Sequence, residues 1–130
     1  MRNKLEKYLV NYKWRELPSL SGRTNHLPCG IIVPLRLGPQ PICFSGRRSE
    51  NLKNHAGEIC FPGGRPEPED VDVQATAIRE AREEMNIQKI EVIGRLSSIP
   101  VYTTDHRLEP FVGIIDDTPL KADKNEITEI

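Results

Sequence analysis

The sequence has 130 residues, of which 37% are hydrophobic and 28% charged, and its formal net charge is -1. This size suits one compact domain over residues 1–130, and the composition is that of a folded protein. The balanced charge argues against bulk binding of nucleic acid, which usually requires a basic excess. No apolar run is long enough to span a bilayer, so a membrane location is not expected.

The three cysteines are Cys29, Cys43 and Cys60. Their odd number and the lack of a C-x-x-C pair argue against a disulfide framework or a zinc site. Their apolar neighbours predict buried free thiols in a reducing compartment. The N-terminus lacks the apolar stretch of a secretory signal, so the expected location is the cytoplasm.

Periodicity and breakers predict one well-defined central helix among several strands. The chain begins with a short helix, and the central helix runs from about Val73 to Met85. The predicted strands cover 30–37, 41–45, 58–61, 90–99, 110–115 and 126–130. This order indicates an α/β domain on a mixed sheet. The last strand has only begun where the sequence stops, which predicts that a C-terminal strand and helix are truncated or that the last element comes from elsewhere.

The central helix carries an apolar stripe formed by Ala77, Ile78, Ala81 and Met85, which we expect to pack on the sheet. Three glutamates lie on a neighbouring face. They are Glu80, Glu83 and Glu84. Like charges at these spacings destabilise a helix by roughly 0.2–0.5 kcal/mol per pair, so a compensating charge is expected.

Two interpretations of these glutamates remain open. Arg79 and Arg82 could neutralise them as a solvated, salt-bridged face. Alternatively, the carboxylates could bind a hard divalent cation such as Mg²⁺, which prefers oxygen ligands and is often shared with substrate phosphates. The turn before the helix favours the second interpretation, because Gly63 and Gly64 allow the backbone to approach a ligand closely and can offer a carbonyl.

Residues 79–87, R-E-A-R-E-E-M-N-I, resemble the second half of the Nudix box, G-x5-E-x7-R-E-U-x-E-E-x-G-U, in which U is aliphatic. Asn86 stands where glycine is usual, a mild change because asparagine also tolerates the left-handed helix cap. The stretch from Gly64 to Arg79 is one residue longer than the box prescribes. The first glutamate of the box usually supports the helix arginine. Asp70 or Asp72 is expected to take its place here.

Residues 44–64 are similar to the motif L-T-x-R-S-x2-L-R-x-H-A-G-x-I-x-F-P-G-G of the coenzyme A pyrophosphatase subgroup of that family. One departure is Lys53 in place of arginine, which keeps the charge but loses the bidentate fork. The resemblance covers about 30–130. It implies a Nudix fold, an α/β/α sandwich around a mixed sheet.

The resemblance also implies a reaction, a cofactor and roles for individual residues. Coenzyme A or an acyl derivative would be hydrolysed to 3′,5′-ADP and 4′-phosphopantetheine with Mg²⁺ or Mn²⁺. The catalytic residues would be Glu80, Glu84 and, for orienting the glutamates, Arg79. The metal ligands would be Glu80, Glu83, Glu84 and Gly63, the last through its carbonyl. The substrate-binding candidates are Arg47, Arg48, Lys53 and His55.

Several alternatives accompany these roles. The general base is Glu80, or Glu126 or Glu129, although the last two also suit an exposed strand face. His55 either touches phosphate or braces its loop, and Trp14 packs rather than stacks on a base. The substrate could instead be ADP-ribose or an oxidised nucleotide, and an inactive or incomplete binding domain is the alternative of a different class. The partner is expected to be a small nucleotide, and homo-oligomers are possible.

Overall fold

The structure is a computed structural model that describes residues 2–53 and 55–130. Within them the helices are α1 (Arg2–Asn11) and α2 (Val73–Met85). The longer strands are β1 (Leu27–Arg36), β6 (Ile90–Arg95) and β8 (His106–Ile115). The short strands are β2 (Ile42–Cys43), β3 (Gly46–Arg48), β4 (Ile59–Cys60), β5 (Gly63–Gly64), β7 (Ile99–Pro100) and β9 (Ile127–Glu129).

The strands form two sheets within the described residues. The six-stranded sheet has the order β2-β1-β8-β6, with β5 paired to β1 and β7 paired to β8. Its β1–β8 ladder is parallel and the others are antiparallel, so the sheet is mixed, as predicted. The three-stranded sheet has the order β4-β3-β9.

Helix α2 packs on β1 with its predicted apolar stripe. Ala77, Ala81 and Met85 are fully buried. The approach is close at Gly30, where an added Cβ would lie 2.4 Å from the carbonyl oxygen of Val73. A side chain at this position would therefore push the helix away from the sheet, so the glycine in β1 sets how closely α2 can approach.

Helix α1 covers the other face of the sheet. An added Cβ at Gly94 would lie 2.7 Å from Leu9 of α1. Gly94 of β6 pairs with Val112 of β8, so these two residues lie on the same face of the sheet. The residue before Val112 in β8, Phe111, belongs to the core on the α2 side. Since successive strand residues point to opposite faces, the two helices enclose the sheet, which confirms the α/β/α sandwich. Neither helix in residues 2–53 and 55–130 has the length and apolar character needed to cross a bilayer.

Both ends of α2 have defined caps, which fixes its bounds as predicted. Asp72 is the N-cap, and its Oδ1 accepts a hydrogen bond of 2.8 Å from the amide of Ala75. Asn86 has φ 58° and donates its amide to carbonyls of the last turn. This left-handed residue confirms that asparagine ends the helix in the position where the family pattern has glycine.

Three expectations about the fold are wrong in detail. Strand β8 begins at His106, inside the expected loop, because it pairs from there with β1 and β7. The predicted strand over 90–99 is interrupted after Arg95, and a separate β7 follows. The cysteines are free but none is fully buried, since Cys29 and Cys60 are half-buried and Cys43 on the short β2 is exposed.

Candidate active site

The turn before α2 brings its backbone against the helix glutamates. Gly64 pairs with Gly30 of β1, which holds the turn at the sheet. An added Cβ at Gly64 would lie 2.6 Å from the Cδ and Oε1 atoms of Glu80. The missing side chain therefore makes the room that the Glu80 carboxylate occupies, and this is the physical reason for glycine at this position.

Glu80 and Glu84 form a close pair on α2. Glu84 is only 5% exposed, and burial is the main cause that raises its pKa, followed by the hydrogen bond and charge of Glu80. Burial also raises the pKa of Glu80, whereas Glu84 and Arg79 act in the opposite direction. Two half-buried or buried carboxylates one turn apart are costly unless a proton or a cation lies between them.

Arg79 connects this pair to the preceding loop. Its Nε lies 3.0 Å from Asp70 Oδ1, and its Nη1 lies 3.0 Å from Glu80 Oε1 and 3.2 Å from Glu83 Oε2. Its Nη2 donates to the carbonyl of Arg65 over 3.0 Å. The guanidinium thus holds the Glu80 carboxylate and the carbonyl of Arg65 in fixed positions relative to each other.

Asp70, rather than Asp72, supports the helix arginine. The carboxylate of Asp70 also accepts hydrogen bonds from Thr76 Oγ1 and from the amide of Glu67, both over 2.8 Å. The hydrogen bond from Arg79 is the main cause that holds the pKa of Asp70 far below its usual range. Asp72 instead caps α2, so the two aspartates have separate tasks.

Glu83 lies apart from the Glu80–Glu84 pair. Its side chain is 54% exposed and its carboxylate bonds to Arg79. Accordingly, no three Asp, Glu, His or Cys side chains of residues 2–53 and 55–130 form a group arranged to hold a metal ion. The Glu80–Glu84 pair nevertheless fits a hard cation, because it offers carboxylate oxygens whose mutual repulsion a positive ion would relieve.

Gly63 faces Glu84. A hydrogen bond from its backbone lowers the pKa of Glu84, opposing the effect of burial. An added Cβ at Gly63 would lie 2.3 Å from Ile31 Cδ1 and 2.5 Å from the carbonyl oxygen of Gly30, so no larger residue fits. The structure therefore brings both glycines of the turn to the glutamates, Gly63 to Glu84 and Gly64 to Glu80.

The two glutamates near the end of the chain differ in position. Glu126 is close enough to Glu84 for its charge to raise the pKa of that residue. Its carbonyl also accepts the amide of Ser49 over 2.8 Å. Glu129 instead pairs with Arg47 over 3.0 Å and is exposed. The exposed strand face suggested for both residues holds for Glu129, whereas Glu126 lies beside the carboxylate pair.

The predicted substrate loop lies between β3 and β4, next to the glutamates. Arg48 hydrogen bonds to the thiol of Cys60, and its charge lowers the pKa of that thiol, which burial raises more strongly. The charge of Glu84 also acts on Cys60. Arg48 thus contacts Cys60, and Glu84 is near enough to Cys60 for its charge to act on the same thiol.

The other candidates of this loop are less directly placed. Arg47 pairs with Glu129 and donates to the carbonyl of Gly57 over 3.1 Å, so it closes the base of the loop. His55 has φ 57°, and its Nδ1 lies 2.9 Å from Glu58 Oε2. His55 therefore braces its loop in two ways, because its carbonyl also accepts a backbone hydrogen bond of 3.2 Å from the amide of Glu58. Lys53 is exposed at the tip.

Comparison with known proteins agrees with this geometry. The NUDIX domain family matches residues 27–129, which is most of the chain. The chain belongs to the Nudix family. It is 37% identical over 117 residues to the uncharacterized Nudix hydrolase NudL of Escherichia coli (strain HS), with 87% of this chain and 60% of NudL covered. The chain therefore spans less than two thirds of the length of these relatives.

Solved Nudix structures share the fold. The NUDIX domain of Shewanella oneidensis NrtR, complexed with ADP ribose, has a TM-score of 0.64 at 15% identity, covering 95% of this chain and 78% of that one. A MutT protein from Methanosarcina mazei Go1 has a TM-score of 0.59 at 20% identity, covering 84% and 76%. At such identities the likeness concerns the fold alone.

Two contributors to the Nudix site were not singled out from the sequence. Cys60 hydrogen bonds to Arg48 and lies within reach of the charge of Glu84, but an isolated cysteine within a strand carries no signal of such contacts. Thr76 is fully buried in α2 and hydrogen bonds to Asp70. A polar residue on the buried side of a predicted helix could have drawn attention to it, because buried hydroxyls need a partner.

Proposed function

We propose that this Nudix domain uses Mg²⁺ or Mn²⁺ to hydrolyse the diphosphate bond of a nucleoside diphosphate derivative, with coenzyme A or an acyl derivative as its substrate. The observation that carries the proposal is the Glu80–Glu84 pair, held against the glycine turn by Arg79. A buried like-charged pair is unfavourable by itself and suits a site that receives a cation and an anionic substrate together.

Glu80 and Glu84 are the proposed ligands of the cation, with the Gly63 carbonyl as a further donor. Glu83 would join them only by leaving Arg79, so we assign it a secondary part. When bound, such a cation polarises the diphosphate and lowers the pKa of a water molecule. The part of Arg79 is to keep the Glu80 carboxylate in its rotamer, which is positioning rather than contact with substrate.

Hydrolysis needs a carboxylate that accepts the proton of the attacking water. The water oxygen forms a bond to one phosphorus, and the bond from that phosphorus to the bridging oxygen breaks. Glu126 is our first candidate for the proton acceptor because it lies beside Glu84, and Glu80 is the second. Glu129 is the weakest candidate since its carboxylate is paired with Arg47.

Coenzyme A is favoured by the sequence motif at residues 44–64 and by the basic side chains of that loop. Arg48 contacts Cys60, on which the charge of Glu84 also acts, and is proposed to bind phosphate, with Lys53 nearby in the chain. Guanidinium groups suit this task because they donate two parallel hydrogen bonds to phosphate oxygens. We assign Arg47 and His55 mainly to the shape of the loop, given their contacts within it.

The test is incubation of the purified chain with coenzyme A and either Mg²⁺ or Mn²⁺, followed by chromatography for 3′,5′-ADP. Glu84→Gln is the inactive variant and Glu69→Gln the matched control, because Glu69 is an exposed glutamate of the loop before α2. We expect product from the wild type and Glu69→Gln, and none from Glu84→Gln or after addition of EDTA.

Parallel reactions with ADP-ribose and 8-oxo-dGTP test the identity of the substrate independently of the reaction class. Cleavage of one of these but not of coenzyme A would retain the diphosphate hydrolase and reject coenzyme A. A folded sample that leaves every diphosphate intact would contradict the enzyme and favour a binding domain.

A further inference from the structure

The connection between β8 and β9 runs along the C-terminal turn of α2. The amide of Asp123 donates a hydrogen bond of 2.9 Å to the carbonyl of Glu84, and the amide of Lys121 donates one of 3.0 Å to the carbonyl of Met85. The last carbonyls of a helix have no partner within the helix, so the connection supplies the donors that this end of α2 needs. It thereby holds the backbone of Asp123 directly beside that of Glu84.

Asp123 closes a turn that leads to Glu126. Its carbonyl accepts hydrogen bonds from the amides of Glu126 over 2.9 Å and Ile127 over 2.7 Å. Its side-chain Oδ1 accepts the amide of Asn125 over 3.1 Å, and an aspartate that accepts an amide two residues ahead stabilises a turn. One residue therefore connects the backbone of Glu84 to the backbone of Glu126.

The position of Glu126 is also fixed from its other side. Its carbonyl accepts the amide of Ser49, in the loop between β3 and β4, over 2.8 Å. The next residue, Ile127, is fully buried. An added Cβ at Gly46 would lie 2.8 Å from Ile127 Cγ2 and 2.9 Å from Met85 Cε, so the side chains that follow Glu126 and Glu84 in the chain pack at the same place.

We propose that Asp123 is a positioning residue that holds Glu126 next to the C-terminal turn of α2, where the Glu126 carboxylate accepts the proton of the attacking water. The inference rests on the proposed function, in which Glu126 is the first candidate for the proton acceptor. A proton acceptor must lie within hydrogen-bond distance of the water, and a small displacement lowers the rate. Asp123 does not contact the substrate, and its effect on the reaction passes through Glu126.

Steady-state rates of Asp123→Ala and Asp123→Asn test the proposal, with coenzyme A as the substrate, or ADP-ribose if only that diphosphate is cleaved. Alanine removes the acceptor that closes the turn, whereas asparagine keeps Oδ1. Asp117→Ala is the matched control, because Asp117 belongs to the same connection and its side chain is 99% exposed. Chemical denaturation of each variant establishes that it is folded at the assay temperature.

We expect Asp123→Ala to lower kcat about tenfold with KM changed less than about twofold, because binding of the substrate does not depend on the proton acceptor. Asp123→Asn should keep most of the activity, and Asp117→Ala should match the wild type. Mn²⁺ binding by Asp123→Ala, followed by electron paramagnetic resonance, should equal that of the wild type, since the carboxylates on α2 are unchanged.

A double-mutant cycle with Glu126→Gln shows whether Asp123 acts through Glu126. We expect Asp123→Ala to cause no further loss of kcat in the Glu126→Gln background. A loss as large as in the wild-type background, full activity of Asp123→Ala or of Glu126→Gln, or weakened Mn²⁺ binding would overturn the role of Asp123 and leave the diphosphate hydrolase intact. A folded wild type that cleaves no diphosphate would instead reject the proposed function, and the role of Asp123 with it.

Discussion

Helix α2 and the loop between β3 and β4 both concentrate charge near the site, but they use it differently. On α2, one guanidinium holds Glu80 and Glu83, whereas the buried Glu84 forms no ion pair with the residues that the structure describes, 2–53 and 55–130. In the loop, Arg47 and His55 are paired with acids of the loop or of β9, and Lys53 is exposed. Helix α2 therefore forms a centre in which like charges are held close together. The loop between β3 and β4 forms a basic rim beside it, which consists of Arg47, Arg48, Lys53 and His55.

The largest expected effect is the difference between substitutions of two α2 glutamates, Glu80 and Glu83. We expect Glu80→Gln to lower kcat by roughly 10²–10³-fold, since metal-based stabilisation of a transition state amounts to several kcal/mol. Glu83→Gln should cost about tenfold or less, because its exposed carboxylate is bound to Arg79. Steady-state rates at saturating Mg²⁺ give the ratio, and equal losses would contradict the distinction between the two glutamates.

The glycine turn offers a matched pair of substitutions. Gly64→Ala places a methyl group 2.6 Å from the Glu80 carboxylate, so Glu80 must move, and we expect kcat to fall on the order of 10²-fold. Gly38→Ala is the control, because nothing lies within 4 Å of its added Cβ. A Gly64→Ala enzyme with full activity would show that the position of Glu80 is not critical.

The two aspartates before α2 distinguish support of the site from support of the helix. Asp70→Asn removes the charge that holds Arg79, and kcat should fall about tenfold through the loosened Glu80 rotamer. Asp72→Ala removes the N-cap and should lower the free energy of unfolding by about 1 kcal/mol with kcat unchanged. Chemical denaturation and initial rates on both variants check the separation. The reverse pattern would mean that their roles are exchanged.

The smallest effects concern the basic rim and appear in KM. Arg48→Gln should raise KM for coenzyme A about tenfold, Lys53→Gln somewhat less, and Arg47→Gln least, because Arg47 is already paired. Comparison with 3′-dephospho-coenzyme A assigns the contact. A residue that binds the 3′-phosphate loses its effect with this substrate, whereas one that binds the diphosphate keeps it. No change in KM for any of the three variants would reject the loop as a phosphate site.

The arrangement of the carboxylates on α2 was predictable because it depends on residues that are close together in the sequence. Helical spacing alone places Glu80 and Glu84 one turn apart, and it places Ala77 and Ala81 on the face that packs against the sheet. Caps at both ends set the bounds of α2. The choice between Asp70 and Asp72 was not predictable from spacing. The loop must fold back over nine residues for Asp70 to reach Arg79, while Asp72 is already at the helix start.

The features that could not be predicted depend on contacts between distant parts of the chain. Proline in a strand usually marks an edge or a beginning, so the sequence suggests that β8 starts at Pro110, yet pairing with β1 and β7 begins at His106. Strands of two or three residues, such as β3 and β5, carry too few positions to show a period. The place of Glu126 beside Glu84 likewise follows from the way the chain before β9 docks on the loop.

The central claim is that Glu80 and Glu84 together bind a divalent cation. Titration of the wild type with Mn²⁺, followed by electron paramagnetic resonance of the free ion, tests it directly, with Glu84→Gln and the control Glu69→Gln in parallel. The account predicts a Mn²⁺ site in the wild type and in Glu69→Gln that is lost or weakened at least tenfold in Glu84→Gln. Unchanged Mn²⁺ binding by Glu84→Gln would contradict it.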